Sequence, residues 1–511
     1  MQIIPAPQKF VKINGTFSVD AQTKVFCHNE FLGEIQLFCD YVKSSCGFDL
    51  AFTENIEEAH VIFNHNVRCL DGQYLIMINQ GVATVSASDK ASCFYAVQSL
   101  LGLVHAENGQ ISVNNCYLED RPVFAHRGLL LDVCRHFFGV ETVKKVIDLM
   151  AIFKLNKLHL HLSDDQGFRV EIGKYPLLNT VGSYRGGSEV VSGGKRYVDE
   201  VPHGGYYTKA DIAEIVSYAA SKHIDVIPEI DVPGHAVAMI ASYPWLSCTG
   251  QVAEVRKRWG IFKDILCAGN DDTLTFVCDV LDEVAEMFPY EYIHLGGDEV
   301  PKDRWCNCKL CRQKVADLRL SGFDELQTYF MEQIRLHLQQ KGKKVICWND
   351  GIDGADENVV SQVWKPKTLS KGKKQANNGR KTILSPFFNM YFDYPYAMTP
   401  LSKTYAFKPL CGIKKSAKNN VLGVEGALWT EYMASEEKLF FNLLPRMCAL
   451  AEVAWGYKRC GFTKRVKGYY PLFEQKGLTY NAKATRGKCL FARISKTKAF
   501  FNKDADIELT K

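Results

Sequence analysis

Two adjacent carboxylates, Asp298 and Glu299, follow a pair of glycines in the stretch His294-Leu295-Gly296-Gly297-Asp298-Glu299-Val300. The apolar pair Tyr292-Ile293 leads into it. A strand ending at Gly296-Gly297 would present both acids at its C-terminal tip, with no bulky neighbour to block a ligand. Like charges that close push one pKa upward, which points to an acid/base site with one protonated and one ionised carboxyl group. The same residues also fit a helix N-terminus, with both acids complementing the helix dipole and Pro301 in the first turn. The segment alone leaves both readings open.

The elements that must carry such a site begin near Arg121. Apolar β-type runs recur from there: GLLLDV (128–133), KLHLHL (157–162), HIDVIPEI (223–230), YIHLGG (292–297), KKVICW (343–348), VVSQVW (359–364), TILSPF (382–387) and VLGVEGALW (421–429). Helical patterns separate them, among them TKADIAEIVSYAASK with a capping threonine at Thr208, although two intervals are short for a full helix. Eight such strands predict a (β/α)8 TIM barrel, in which chemistry gathers where strands meet their following loops. Those positions hold Arg135-His136, Asp164-Asp165, Asp231 and His235, Asp298 and Glu299, Trp348, Trp364, Tyr391 and Asp393, and Trp429 with Glu431. One tryptophan at a strand tip is ordinary rim packing. Trp348, Trp364 and Trp429 on one mouth beside two acids point to a sugar-binding cage, because the apolar faces of pyranose rings stack on aromatic walls. Arg135, Asp393 and Glu431 would meet the hydroxyl groups, though each alone also fits a structural ion pair.

Residues 1–118 predict a small α/β accessory domain, with Asn14-Gly15 as a hairpin turn in VKINGTFSVD, a helix over EIQLFCDYVKSS, strands at HVIFNH and YLIMIN, and a helix over DKASCFYAVQSLLGLV. Residues 119–480 form the catalytic barrel and 481–511 a basic tail. The net charge of +5 on 511 residues argues against a nucleic-acid partner, which needs a concentrated basic face. No apolar run approaches the roughly 20 residues of a membrane span. The N-terminus lacks a signal-peptide pattern. The 18 cysteines are scattered, several of them inside apolar runs, which suits free thiols. A cytoplasmic location is favoured on these grounds, with a secreted mature form as the alternative; Asn14-Gly15-Thr16 is the one sequon noted.

The segments HRGLLLDVCRHFF, KLHLHLSDDQGFR, PEIDVPGHA, HLGGDEV and LGVEGALWTEY closely resemble the signature stretches of family 20 glycoside hydrolases, the β-N-acetylhexosaminidases. The resemblance runs from about Arg121 to about Tyr457, and the N-terminal domain is similar to that family's accessory domain. It implies a retaining exo-glycosidase without a protein nucleophile, in which the 2-acetamido oxygen of the substrate attacks the anomeric carbon and forms an oxazolinium-type intermediate. By this resemblance Glu299 is the general acid/base, Asp298 orients the acetamido N–H, and Tyr391 aims the acetamido oxygen. Asp164 and His235 are a pair tuning the acid; Trp348, Trp364 and Trp429 line the cage; Arg135, Asp393 and Glu431 bind sugar hydroxyls. Two departures stand out: Leu160 between His159 and His161 where an aromatic is common, and Asn349-Asp350 where Asp-Glu is common.

The expected partner is a glycan ending in β-linked GlcNAc or GalNAc. No cofactor or metal is expected, and a homodimer stays open. Alternatives are a disaccharide-releasing enzyme or transglycosylase of the same family, or a non-catalytic glycan-binding protein on the same scaffold. Cys306, Cys308 and Cys311 form C-x-C-x-x-C, but a closed zinc site needs four ligands and no fourth is evident nearby. The lysine-rich run from Lys365 to Lys381 reads as a solvated helix face or loop in preference to an anionic-glycan site.

Overall fold

The computed structural model describes residues 3–107, 109–192, 195–351, 355–365, 369–456 and 460–485. They divide into two compact units, drawn from Met1–Ala125, Leu149–Leu155 and Ala451–Gly477, and from His126–Asp148, Asn156–Leu450 and Leu478–Lys511. Most of the expected basic tail, 486–511, lies outside the described residues.

The first unit is built on β1 (Lys9–Val19), β2 (Lys24–Cys27), β3 (Ala51–Phe52), β4 (Val61–His65), β5 (Tyr74–Asn79), β6 (Val82–Ala87), β7 (Val104–Glu107) and β8 (Gln110–Asp120). They form one sheet in the order β1-β8-β5-β6-β4-β2-β3, with β7 also paired to β8. Period-two alternation decides its buried face: Tyr74, Ile76 and Ile78 are buried while Met77 between them is exposed. Helices α1 (Gln36–Cys46) and α2 (Lys90–Leu101) fall where the sequence predicts them. Asp89 starts α2 with a capping box, accepting from the Ser92 amide at 2.8 Å. The expected hairpin at Asn14-Gly15 does not form. β1 runs straight through, paired to β8 on both sides of an irregularity between Lys12 and Thr16. Gly15, at φ +107°, sits in this bulge, and Asn115 Nδ2 donates to Asn14 O across it at 3.1 Å. A long partner strand outweighs the local turn preference of the Asn-Gly pair. At the foot of the unit, buried Lys154 donates to Tyr74 OH at 2.7 Å and Ser99 Oγ at 2.6 Å, with Asp120 Oδ2 3.7 Å away.

The second unit is a closed barrel of eight parallel strands: His126–Asp132, Lys157–His161, Asp225–Glu229, Tyr292–His294, Lys344–Trp348, Val360–Val363, Thr382–Leu384 and Val421–Leu428. They are called strands one to eight here, and each lies inside or at the edge of a predicted run. Thr208 caps the helix Lys209–Ala220 in a capping box with Asp211. The helix Leu369–Asn377 occupies most of the lysine-rich run, with Gly372 and Ala376 buried and Lys371 and Lys374 exposed, as a solvated face requires. Among the described residues no helix joins strands five and six. No helix among the described residues is long and apolar enough to cross a membrane.

The barrel interior below the mouth is polar. Glu425 accepts from His126 Nε2 at 2.8 Å, His159 Nδ1 at 2.9 Å and Gln362 Nε2 at 2.7 Å. Glu229 accepts from Trp348 Nε1 at 2.8 Å and from His161 Nδ1, and His159 Nε2 lies 3.1 Å from it. Burial would lower the His159 pKa, but Glu425 and Glu229 override it and hold the ring up at about 9, so it stands as an imidazolium between two carboxylates. Burial wins at His294, which is pushed below its usual value; its Nδ1 accepts the Gly296 amide at 3.0 Å.

Candidate active site

Strand four ends at His294, and the chain then turns sharply through Gly296 and Gly297 at φ +65° and +88°. A Cβ on Gly296 would lie 1.7 Å from Asp231 Oδ1, and that same oxygen accepts the Gly297 amide at 3.0 Å. Only glycine lets the tip of strand three press this close to strand four. No helix starts at Asp298 or Glu299, and the next begins at Asp303, so the helix-terminus reading of these acids falls away. Glu299 has φ +49°, a left-handed conformation uncommon for a side chain this size, and the turn holds it there.

The two acids face different surroundings. Glu299 lines an open cleft of about 430 Å³ with Ile261, Lys302, Asp324, Gln327 and Lys365. Asp298 is half-buried, and its Oδ1 is fully shielded with no hydrogen-bond partner among the described residues. Burial pushes the Asp298 pKa up to about 7; His235 opposes the rise, while Asp350 and Glu299 add to it. Behind Glu299 runs a charged chain. His235 Nε2 lies 3.7 Å from Glu299 Oε2, and His235 Nδ1 lies 3.4 Å from Asp164 Oδ1 and 3.2 Å from Asp165 Oδ2. Burial would lower the His235 pKa, but Asp164 with help from Asp165 and Glu299 raises it well above the ordinary imidazole value. Asp164 also receives His161 Nε2 at 2.9 Å and Arg135 Nη2 at 2.7 Å. Against its burial, Arg135 first and then His235 hold this carboxyl well below the usual range.

The aromatic residues form a connected wall. Trp364 stacks on Tyr391 at 6.1 Å and 17°, Tyr391 leans on Trp429 at 6.2 Å, and Trp429 on Trp348 at 5.9 Å. Arg135 lies over Trp429 at 5.0 Å. Trp348 reaches deepest, its indole nitrogen bonded to Glu229 in the barrel interior. Three further shielded atoms on this wall, Trp429 Nε1, Asp393 Oδ1 and Glu431 Oε2, have no hydrogen-bond partner among the described residues. Burial, then Glu431, drives the Asp393 pKa well above the carboxylate range; burial also raises Glu431, against the pull of Arg135. Buried polar atoms without partners are costly, and several aimed at one mouth mark a site shaped for a polar ligand.

The eleven residues to which the resemblance gives roles fall in this one mouth. The structure adds others. Asp350 accepts from Trp364 Nε1 at 2.9 Å and ion-pairs with Lys365 at 2.5 Å, and its Oδ2 lies 3.5 Å from the Glu299 amide. The departure at Asn349-Asp350 therefore sits beside the turn that carries Glu299 and holds the Trp364 indole. Asp165 and Asp231, named at strand tips in the sequence without a role, also belong here, as do His161 and Glu229, whose only signal was their place near strand ends.

The profile of glycosyl hydrolase family 20, catalytic domain, matches residues 124–458, and that of glycosyl hydrolase family 20, domain 2, matches residues 1–121. A beta-hexosaminidase of Porphyromonas gingivalis is 35% identical over 481 residues, covering 89% of this chain and 60% of that protein, so the chain spans about three-fifths of that relative. Among solved structures, an exo beta-N-acetylglucosaminidase from Vibrio harveyi in complex with N-acetylglucosamine superposes with a TM-score of 0.83 at 26% identity, covering 94% of this chain and 78% of that one. A mutant Streptomyces plicatus beta-hexosaminidase in complex with its product GlcNAc gives 0.81 at 30% identity, covering 95% and 97%. With its barrel, its accessory unit and its mouth described, the chain belongs to glycosyl hydrolase family 20.

Proposed function

We propose that this chain is an exo-β-N-acetylhexosaminidase that removes terminal β-linked GlcNAc or GalNAc by a retaining, substrate-assisted reaction. The observation that carries this reading is the division of labour in one dipeptide. Glu299 opens onto the cleft, whereas the neighbouring Asp298 holds a shielded oxygen with no hydrogen-bond partner among the described residues, and its charge acts on Tyr391. Two acids that flank a bond from opposite sides, as an ordinary retaining pair must at about 5–5.5 Å, would come from separate strand ends. Adjacent acids with different exposures suit separate tasks.

In this mechanism the terminal sugar sits against Trp348, Trp364 and Trp429, its hydroxyls on Arg135, Asp393 and Glu431, and its leaving group in the cleft beside Glu299. The acetamido N–H donates to Asp298, and the Tyr391 hydroxyl donates to the acetamido oxygen and aims it at the anomeric carbon. That oxygen forms the new C–O bond as the glycosidic bond breaks, and Glu299 gives its proton to the departing oxygen. The resulting oxazolinium carries a positive charge beside Asp298, which stabilises it as a carboxylate. Glu299, now ionised, takes a proton from water as that water opens the oxazolinium ring, so the product keeps the β configuration.

The test compares 4-nitrophenyl N-acetyl-β-glucosaminide with 4-nitrophenyl β-glucoside. The second lacks the internal nucleophile and should react at least about 10³-fold more slowly. Comparable rates on the two would defeat the mechanism.

A further inference from the structure

Four cysteine sulfurs meet beside the barrel mouth. Cys248 Sγ lies 3.8 Å from Cys311 Sγ, and Cys267 Sγ lies 3.8 Å from Cys308 Sγ and 3.7 Å from Cys311 Sγ. All four sulfurs fall within 4.8 Å of one another. Sulfurs joined in a disulfide would stand about 2.05 Å apart. Thiolates on the corners of a tetrahedron about 2.3 Å from a central Zn²⁺ stand about 3.8 Å apart, which is the spacing seen here.

The backbone is built to hold this arrangement. An antiparallel bridge between Ser247 and Leu266 places Cys248 and Cys267 on one face, diagonally across the bridge, with the Cys267 amide donating to Leu246 O at 2.8 Å. Cys308 and Cys311 flank the start of the helix Lys309–Asp317, one as its N-cap residue and one in its first turn. Buried Trp305 ties the two pairs together, its Nε1 donating to Leu266 O at 2.8 Å. Gly269 passes so close that a Cβ there would lie 2.3 Å from the Cys311 nitrogen. Cys306, which the sequence motif would include, is exposed and stands outside the cluster. The two ligands that join Cys308 and Cys311 come from an earlier loop, Cys267 lying 41 residues before Cys308 and Cys248 lying 63 before Cys311.

We propose that Cys248, Cys267, Cys308 and Cys311 form a structural Zn²⁺ site that clamps the loop after strand three to the loop after strand four. Four thiols lose four protons to the solvent as the ion binds, giving a closed Zn(Cys)4 shell of net charge −2 with no position open for chemistry. The first loop carries His235 and Ile261 and the second carries Asp298, Glu299 and Lys302. Ile261 and Lys302 line the cleft beside Glu299, so the clamp fixes the width of the cleft.

Full-length protein purified with a thiol reductant and without added metal should hold one zinc per chain by elemental analysis. X-ray absorption at the zinc edge should show four sulfurs at about 2.3 Å. Cys267→Ser and Cys308→Ser should each lose most of the metal, and Cys306→Ser should keep a full equivalent. Because the serine variants could simply misfold, the wild type is also stripped with a strong chelator. Its melting temperature should fall by more than about 5 °C and return when Zn²⁺ alone is restored. An intact mass 4 Da low, reporting two disulfides, would overturn the proposal. So would iron in place of zinc, four reactive thiols that take up no added Zn²⁺, or full zinc in Cys308→Ser.

Discussion

His235 stands between two carboxylates, with Nε2 3.7 Å from Glu299 and Nδ1 3.4 Å from Asp164. The imidazole is therefore placed to pass the charge of a deeply buried acid to one that opens on the cleft. In the proposed reaction this relay supports proton donation to the leaving group, so its value depends on how much help that group needs. Asp164→Asn should lower kcat by about 10–100-fold on chito-oligosaccharides and by much less on an activated 2,4-dinitrophenyl glycoside. An equal loss on both substrates would mean that Asp164 serves only to hold the fold.

Asp298 links function to stability. Its pKa in the folded protein is raised to about 7. For a raised acid, stability is fully present below the unfolded value near 4 and is lost as pH climbs through about 7. Asp298→Asn is neutral throughout, so it should raise the melting temperature at pH 8, by a gain on the order of 1 kcal/mol, and change it little at pH 4. The same variant should lose the oxazolinium's counter-charge and about 10²–10³-fold in kcat. Melting curves at the two pH values check the first half and steady-state kinetics the second.

The titration also governs ligand binding. In the proposed reaction ionised Asp298 is a stronger acceptor for the acetamido N–H than its neutral form, so GlcNAc should bind more weakly as pH falls from 8 to 5, with a midpoint near the apparent value of about 7. Calorimetry on the wild type should show this slope, and Asp298→Asn should flatten it.

Arg135 is held in a fork. Its Nε donates to Gln166 at 3.2 Å, and its two terminal nitrogens reach Asp132 at 3.4 Å and Asp164 at 2.7 Å while its plane covers Trp429. A lysine cannot span all of these at once. Arg135→Lys should keep the charge yet raise KM about tenfold or more and lower the melting temperature, as measured by kinetics and calorimetry.

In the first unit, Lys154 is buried with Tyr74, Ser99 and Asp120 around its ammonium group. Lys154→Ala leaves those polar atoms buried without their donor and should cost about 3–5 kcal/mol by denaturant unfolding. Lys154→Met fills the space and should cost less.

Much of this was legible in the chain because the barrel writes itself in runs of β-type residues, each closed by a polar or aromatic tip. Strand tips converge on one mouth, so Arg135, Asp298, Trp429 and the other candidates could be gathered without knowing any distance. The misreadings share a physical cause. Asn14-Gly15 has strong local turn chemistry, yet the eleven-residue β8 supplies pairing on both sides of it, and long-range pairing won. The motif Cys306, Cys308 and Cys311 showed no fourth partner in the sequence because Cys248 and Cys267 are brought to Cys308 and Cys311 by tertiary packing alone. The exposure that separates Asp298 from Glu299 depends on the turn at Gly296-Gly297, and adjacency in sequence conceals it.

The polar interior of the barrel has a consequence for how this protein can change. His159 bridges Glu425 and Glu229, Glu229 holds the indole of Trp348, and Trp348 forms the floor of the mouth. Scaffold and reaction centre thus share one electrostatic lattice, whose members are strongly coupled. Substitutions within it should combine non-additively, and a neutral path through sequence space has to exchange histidine and glutamate partners together. Drift that an oily barrel core would absorb one residue at a time must here proceed in concerted pairs.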